Sequence, residues 1–307
     1  MTRTPRTAQA EQRSDVYQRI TDALVQQLEQ GTRPWMKPWN AEHLAGRITR
    51  PLRHNGTPYR GINTLMLWLT AVERGYSAPI WMTYKQASEL GAHVRKGEKG
   101  TPVAYADTIT KTDKETQEEH EIWFMKQYTV FNVEQIEGLP AHFYATAAPC
   151  IAPDARIEHA EAFFRATGAR IGHGGNRAYY RISEDVVQMP PFESFKDPES
   201  YYSTLAHECV HWTRHNSRLD RSFDQKRFGD EGYAREELVA EIGSAFLAAD
   251  LGLYLEPRED HAAYLQSWLA ILKHDKRAIF VAASHAQKAA DYLQQLQPRE
   301  ETDDLAA

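Results

Sequence analysis

Apolar residues at Val16, Ile20, Ala23, Leu24 and Leu28 recur at three- and four-residue steps, the period of a helix with one buried face. Ser14 can cap this run and Gly31 ends it, so a helix is expected from near Asp15 to Gly31. Residues 1–13 are polar and without a period, and are expected to be a disordered tail, as are residues 298–307. The helical step returns over 61–73 (Ile62, Leu65, Met66, Leu69, Val72) and predicts a further helix over 81–91 around Tyr84, Ala87 and Leu90. The turn-rich, basic stretch 91–100 follows. Residues 103–109 and 122–133 then read as the two strands of a hairpin around the charged loop 111–121.

Residues 145–154 carry Pro149 and Pro153 and show no period. They predict a linker over 146–154 between a first domain at 14–145 and a second at 155–297. The second domain opens with a helix over 157–167, a glycine turn over 172–177, and paired strands at 179–182 and 186–189. Asp197-Pro198-Glu199 is a strong helix start: a capping carboxylate, a proline in the first turn and an early acid. That helix is expected to reach about His215, with more helices over 235–251, 264–272 and 277–296. The expected fold class is α+β, in two domains.

No apolar run reaches the roughly 18 residues of a membrane span, so no membrane partner is expected. The N-terminus has no apolar stretch of the secretory kind, and the two cysteines, Cys150 and Cys209, suit a reducing cytoplasm. Charge is divided unevenly. Residues 1–104 hold 15 Lys and Arg against 8 Asp and Glu, whereas the remainder holds 21 against 34. A basic front suits a polyanion and an acidic back repels one.

The sharpest chemical signal is His207-Glu208-Cys209-Val210-His211. On a helix, His207 and His211 lie one turn apart on one face and can grip a single cation, with Glu208 beside it as general base. A catalytic zinc takes three protein ligands and keeps one position open. Glu237 and Glu241, on the later helix, share a face. Glu237 is expected to be the third ligand and Glu241 the carboxylate that steadies a ligand histidine, with the exchanged roles left open. Glu236 is expected to point to solvent. Three ligands at 207, 211 and 215 would span about 12 Å of helix rise, so His215 is read as a surface residue and Cys209 as packing. Tyr201, Tyr202 and Tyr233 are candidates to polarise a carbonyl, though each is also an ordinary core or rim aromatic. The expected cofactor is Zn2+, with another divalent cation such as Mn2+ also suited. The expected reaction is metal-assisted hydrolysis of a peptide bond, with the strand at 186–189 available to pair with an extended substrate.

The front half interleaves cations and aromatics: Arg33, Trp35, Lys37 and Trp39, then Arg53, Tyr59 and Arg60, then Trp81, Tyr84, Lys85, Arg95, Lys96 and Lys99. Single-stranded DNA is held by such cationic grooves with stacking platforms. Trp68, inside an apolar helix, reads as core. For Trp35 and Trp39, core and platform stay open. No base-reading motif for duplex DNA occurs in the sequence.

These segments resemble ArdC-type antirestriction proteins. The resemblance rests on Asp15 to Ile20, Gly31 to Trp35 with Pro38-Trp39, Tyr59 to Asn63, Trp81 to Gln86 and Val94 to Gly100 in front. Behind, it rests on Met189-Pro190-Pro191, Tyr201 to Glu208, His211 to Thr213, Arg218 to Arg221 and Glu236 to Phe246. It covers about 14–290. It implies a single-stranded-DNA-binding domain, which some plasmid primases share, followed by a zincin-like metallopeptidase domain of gluzincin type. It also implies protection of incoming plasmid DNA from host restriction during conjugation, with a host defence protein as a possible peptidase substrate. The competing expectation is a DNA-coating protein whose zincin-like domain is only structural.

Overall fold

The computed structural model describes residues 16–30, 33, 35, 50–112, 119–144, 153–223, 231–253 and 261–298. The front half begins with α1 (Val16–Glu29), β1 (Leu52–Arg53), α2 (Ile62–Arg74), β2 (Ile80–Thr83) and α3 (Tyr84–Glu89). β3 (His93–Val94), β4 (Thr101–Thr112), β5 (Glu119–Asn132) and β6 (Ile136–Glu137) complete it. β4 and β5 form the expected hairpin, with Ile109 opposite Ile122. They extend a four-stranded sheet in the order β1-β2-β5-β4, and β3 pairs with β6 separately.

Residues 81–91 are not one helix. Trp81 and Met82 lie in β2 between β1 and β5, and the helix starts only after Thr83. Thr83 breaks the run because its hydroxyl accepts from the Gln86 backbone N–H, while the Gln86 side chain accepts from the Thr83 N–H. This reciprocal cap sets a helix origin that the apolar spacing alone does not reveal.

The back half comprises α4 (Pro153–Ala166), β7 (Arg170–His173), β8 (Tyr179–Arg181), β9 (Val186–Met189), α5 (Pro198–Trp212), α6 (Glu231–Leu251), α7 (His261–His274) and α8 (Ala278–Gln295). The expected linker lies outside the described residues, except for its last two, which open α4. The tails also lie outside them, apart from Pro298. The three-stranded sheet runs β7-β9-β8. β9 is therefore the middle strand, bonded in parallel to β7 and antiparallel to β8. With both edges taken, the strand at 186–189 offers no free hydrogen-bonding edge to a substrate, contrary to the expectation from its sequence.

The halves are joined by one apolar cluster, to which Leu24, Trp35, Leu65 and Trp68 contribute alongside Leu205, Phe246 and Trp268. α1 packs mainly on α7, and its Thr21 hydroxyl donates to the Lys276 carbonyl at 2.8 Å. Arg50 adds a fork to Asp250, at 2.8 and 2.9 Å, and lies over the Phe246 ring.

α5 and α6 approach each other closely at Gly243. A Cβ there would lie 2.9 Å from Val210, the residue just before His211. Gly243→Ala should regain about 1 kcal/mol of helix propensity. It should lose about 1–3 kcal/mol by forcing the helices apart. A lowered melting temperature is the expected outcome in thermal denaturation; an unchanged or raised one would contradict the close approach.

Candidate metal centre

α5 carries the motif because Asp197 caps it: Oδ1 accepts from the Ser200 backbone N–H at 2.7 Å, and Pro198 occupies the first turn, where no N–H is needed. Every residue from Tyr201 to Trp212 is buried, so the helix is a core element with its histidines held inside. It ends at Trp212, earlier than the sequence suggests. His215 thus sits in the following turn, its Nδ1 2.7 Å from the Ser217 hydroxyl. Arg218 pins that turn by donating to Asp185 and lying 3.9 Å over the Trp212 ring.

The structure brings His207, His211 and Glu237 together, all three buried. The two imidazole Nε2 atoms are 3.2 Å apart. One Glu237 oxygen lies 3.4 Å from His207 Nε2 and the other 3.4 Å from His211 Nε2. An ion bound tetrahedrally at about 2.0–2.1 Å sets its ligands about 3.3–3.4 Å apart, so this donor set fits one. Two imidazoles and a carboxylate suit zinc and also harder divalent ions such as manganese. Glu208, the candidate base, is 3% exposed on the same helix.

Glu236 is the main correction. Expected in solvent, it is 2% exposed. Its Oε1 accepts from His211 Nδ1 at 3.0 Å, and Arg221 grips both of its oxygens at 2.8 Å. Burial alone would raise this carboxyl, but hydrogen bonding and charge from Arg221, with His211, hold it at about 2. Accepting this hydrogen bond favours the His211 tautomer that leaves Nε2 free to ligate. Arg221 is equally enclosed, donating to the Val210 carbonyl and the Thr213 hydroxyl. Glu241, expected to steady a ligand histidine, places Oε2 3.9 Å from His207 Nδ1.

Of the three tyrosines, Tyr201 faces His173 at 2.8 Å and Tyr202 donates to Glu161 at 2.6 Å. Tyr233 lies one turn before Glu237 on α6, close enough to feel its charge, with the Tyr264 hydroxyl at 3.0 Å. Burial, then the charge of Glu237, raises the Tyr233 phenol, so it stays a proton donor across the working pH range.

The front-half candidates divide. Trp35 is 0% exposed and Tyr59 7%, so neither offers a face to a base; both are corrected to core residues. Trp81 is likewise core. Arg33 turns inward to Glu241, and Arg60 pairs with Asp291. Arg53, Lys85, Arg95, Lys96 and Lys99 are exposed, as is Tyr84, while Lys37 and Trp39 lie outside the described residues. Two aromatics that the sequence reading missed, Tyr105 on β4 and Tyr128 on β5, are exposed and pack edge-on at 6.0 Å. Strand alternation was their only signal.

Two family profiles match the chain: the N-terminal domain of anti-restriction factor ArdC over 14–131, and a zincin-like metallopeptidase over 158–285. The uncharacterized protein y4eC of Sinorhizobium fredii is 42% identical over 300 residues, 95% of this chain and 94% of that one. DNA primase TraC of Escherichia coli is 39% identical over 95% of this chain, which spans only 28% of the primase. The metal-free crystal structure of the antirestriction ArdC protein from plasmid R388 is 49% identical, with a TM-score of 0.78. That match covers 93% of this chain and 100% of that one. Its Mn(II)-bound form matches at 48% identity and a TM-score of 0.76. Among the described residues, no helix is long and apolar enough to cross a membrane.

Proposed function

This chain belongs to the ArdC antirestriction family, and on that footing we propose that it binds single-stranded DNA with its front half and hydrolyses peptide bonds with its back half. In this reading it protects plasmid DNA entering by conjugation from host restriction, and a host defence protein is the substrate class to test. The observation that carries the peptidase reading is the meeting of His207, His211 and Glu237 beside Glu208. A divalent cation there, Zn2+ or the Mn2+ found in the R388 relative, would lower the pKa of water and stabilise negative charge on a carbonyl oxygen. Glu208 takes the proton from the attacking water and passes it to the leaving amine. The Tyr233 hydroxyl, kept protonated, donates to the carbonyl oxygen as charge develops on it.

The DNA reading draws on the exposed cations and on the Tyr105–Tyr128 pair as a stacking platform. Purified protein should cleave an unfolded polypeptide, lose that activity to a chelator, and regain it with Zn2+ or Mn2+. Its affinity for single strands should fall steeply with salt. Cleavage that survives chelation, or binding indifferent to salt, overturns the respective half of the proposal. A second reading, a DNA coat with a structural metal, is favoured by the burial of His207 and Glu208, each 3% exposed, which leaves a polypeptide little access. Persistence of antirestriction in cells carrying an inactive Glu208 variant would select it.

A further inference from the structure

We infer that Arg33 and Trp35, contributed by the front half, are positioning residues of the metal centre and act on it through Glu241. The Glu241 carboxylate is 1% exposed, and a buried charge of this kind is stable only when paired. Its two oxygens divide the work. Oε1 lies 3.4 Å from Arg33 Nη1 and 3.3 Å from the Trp35 indole nitrogen, while Oε2 faces His207 Nδ1 at 3.9 Å. Trp35 is itself held on this framework. Its ring meets Trp268 edge-on at 6.3 Å, and Trp268 donates to the Ala234 carbonyl of α6 at 3.0 Å. The orientation and basicity of a ligand imidazole depend on what its other nitrogen faces. What the other nitrogen of His207 faces is a carboxylate anchored by residues more than 200 positions upstream.

The consequence is a linkage between the halves. Contact of Arg33 and Trp35 with Glu241 favours metal binding, and metal binding favours that contact by the same factor. This rests on the metal-centre reading above. The test is competition titration of Mn2+ and Zn2+ into the full chain against a chromophoric chelator at fixed pH. Arg33→Ala should weaken affinity by about 10-fold, and Arg33→Lys should restore most of it. Metal-free Arg33→Ala should melt below wild type, because Glu241 loses its guanidinium partner, so affinity is compared at a temperature where every variant is folded. Trp35→Phe, which keeps a smaller aromatic ring and removes the N–H, should also weaken affinity; if it fails to fold, the Arg33 series decides. The Arg33→Ala, Glu241→Gln double variant should bind no more weakly than Glu241→Gln alone, because both changes cut one chain of contacts. Wild-type affinity in Arg33→Ala, or losses that multiply in the double variant, would overturn the inference. A wild-type protein that holds neither ion would instead overturn the metal centre itself.

Discussion

Glu208→Gln is expected to lower peptide hydrolysis by about 10²–10⁴-fold, the usual weight of a general base, while the protein still takes up its metal. Gln keeps the shape of a side chain that is 3% exposed on a helix buried from Tyr201 to Trp212, so neither packing nor the His207–His211 spacing should change. It removes the basic carboxylate alone. Turnover and metal affinity measured on the same preparation separate the two effects. If turnover survives in the Gln variant, another group takes the proton. If metal is lost together with activity, Glu208 is part of the ligand set, which the meeting of His207, His211 and Glu237 argues against.

Glu236→Ala should have the largest effect on stability. It strands the Arg221 guanidinium, whose side chain is 1% exposed, with its carboxylate gone. Removing one partner of such a buried pair costs about 3–5 kcal/mol. For a chain of 307 residues that is a fall in melting temperature on the order of 5–8 °C. The same change frees His211 Nδ1, so metal affinity should fall by about 10–100-fold. Adding Arg221→Ala should restore part of the stability, since no uncompensated charge then remains, but none of the metal affinity. Calorimetry with and without metal resolves the two effects. A metal-free Glu236→Ala protein that melts within error of wild type would show that the pair is not the buried clamp described.

Much of the centre could be read from spacing. His207 and His211 share a face because helix geometry requires it, and Asp197-Pro198 announced the helix that holds them. Glu237 was accessible by the same reasoning. Glu236 was not, because a residue off the face shared by Glu237 and Glu241 meets water only where the helix has a solvated side. α6 packs against α5, α7 and α8 at once, so its remaining faces are also interior. Trp35 failed for a related reason. Alternating aromatic and basic residues look like a DNA platform, yet the indole's partner, Glu241, lies 206 positions away and leaves no local trace. β7 was missed because four residues interrupted by Gly172 carry too little pattern; its parallel pairing with β9 exists only in three dimensions.

The apolar cluster that runs through both halves bears on how such a protein can be inherited. Cutting between the two matched segments would leave Trp68 without Phe246, and α7 without α1. Either fragment would present a greasy scar to water. A gene rearrangement that moved one half alone would carry that handicap, whereas one that moved both as a cassette would not. The match to the much longer TraC primase spans 95% of this chain, covering both halves together, as expected of a cassette that moves whole.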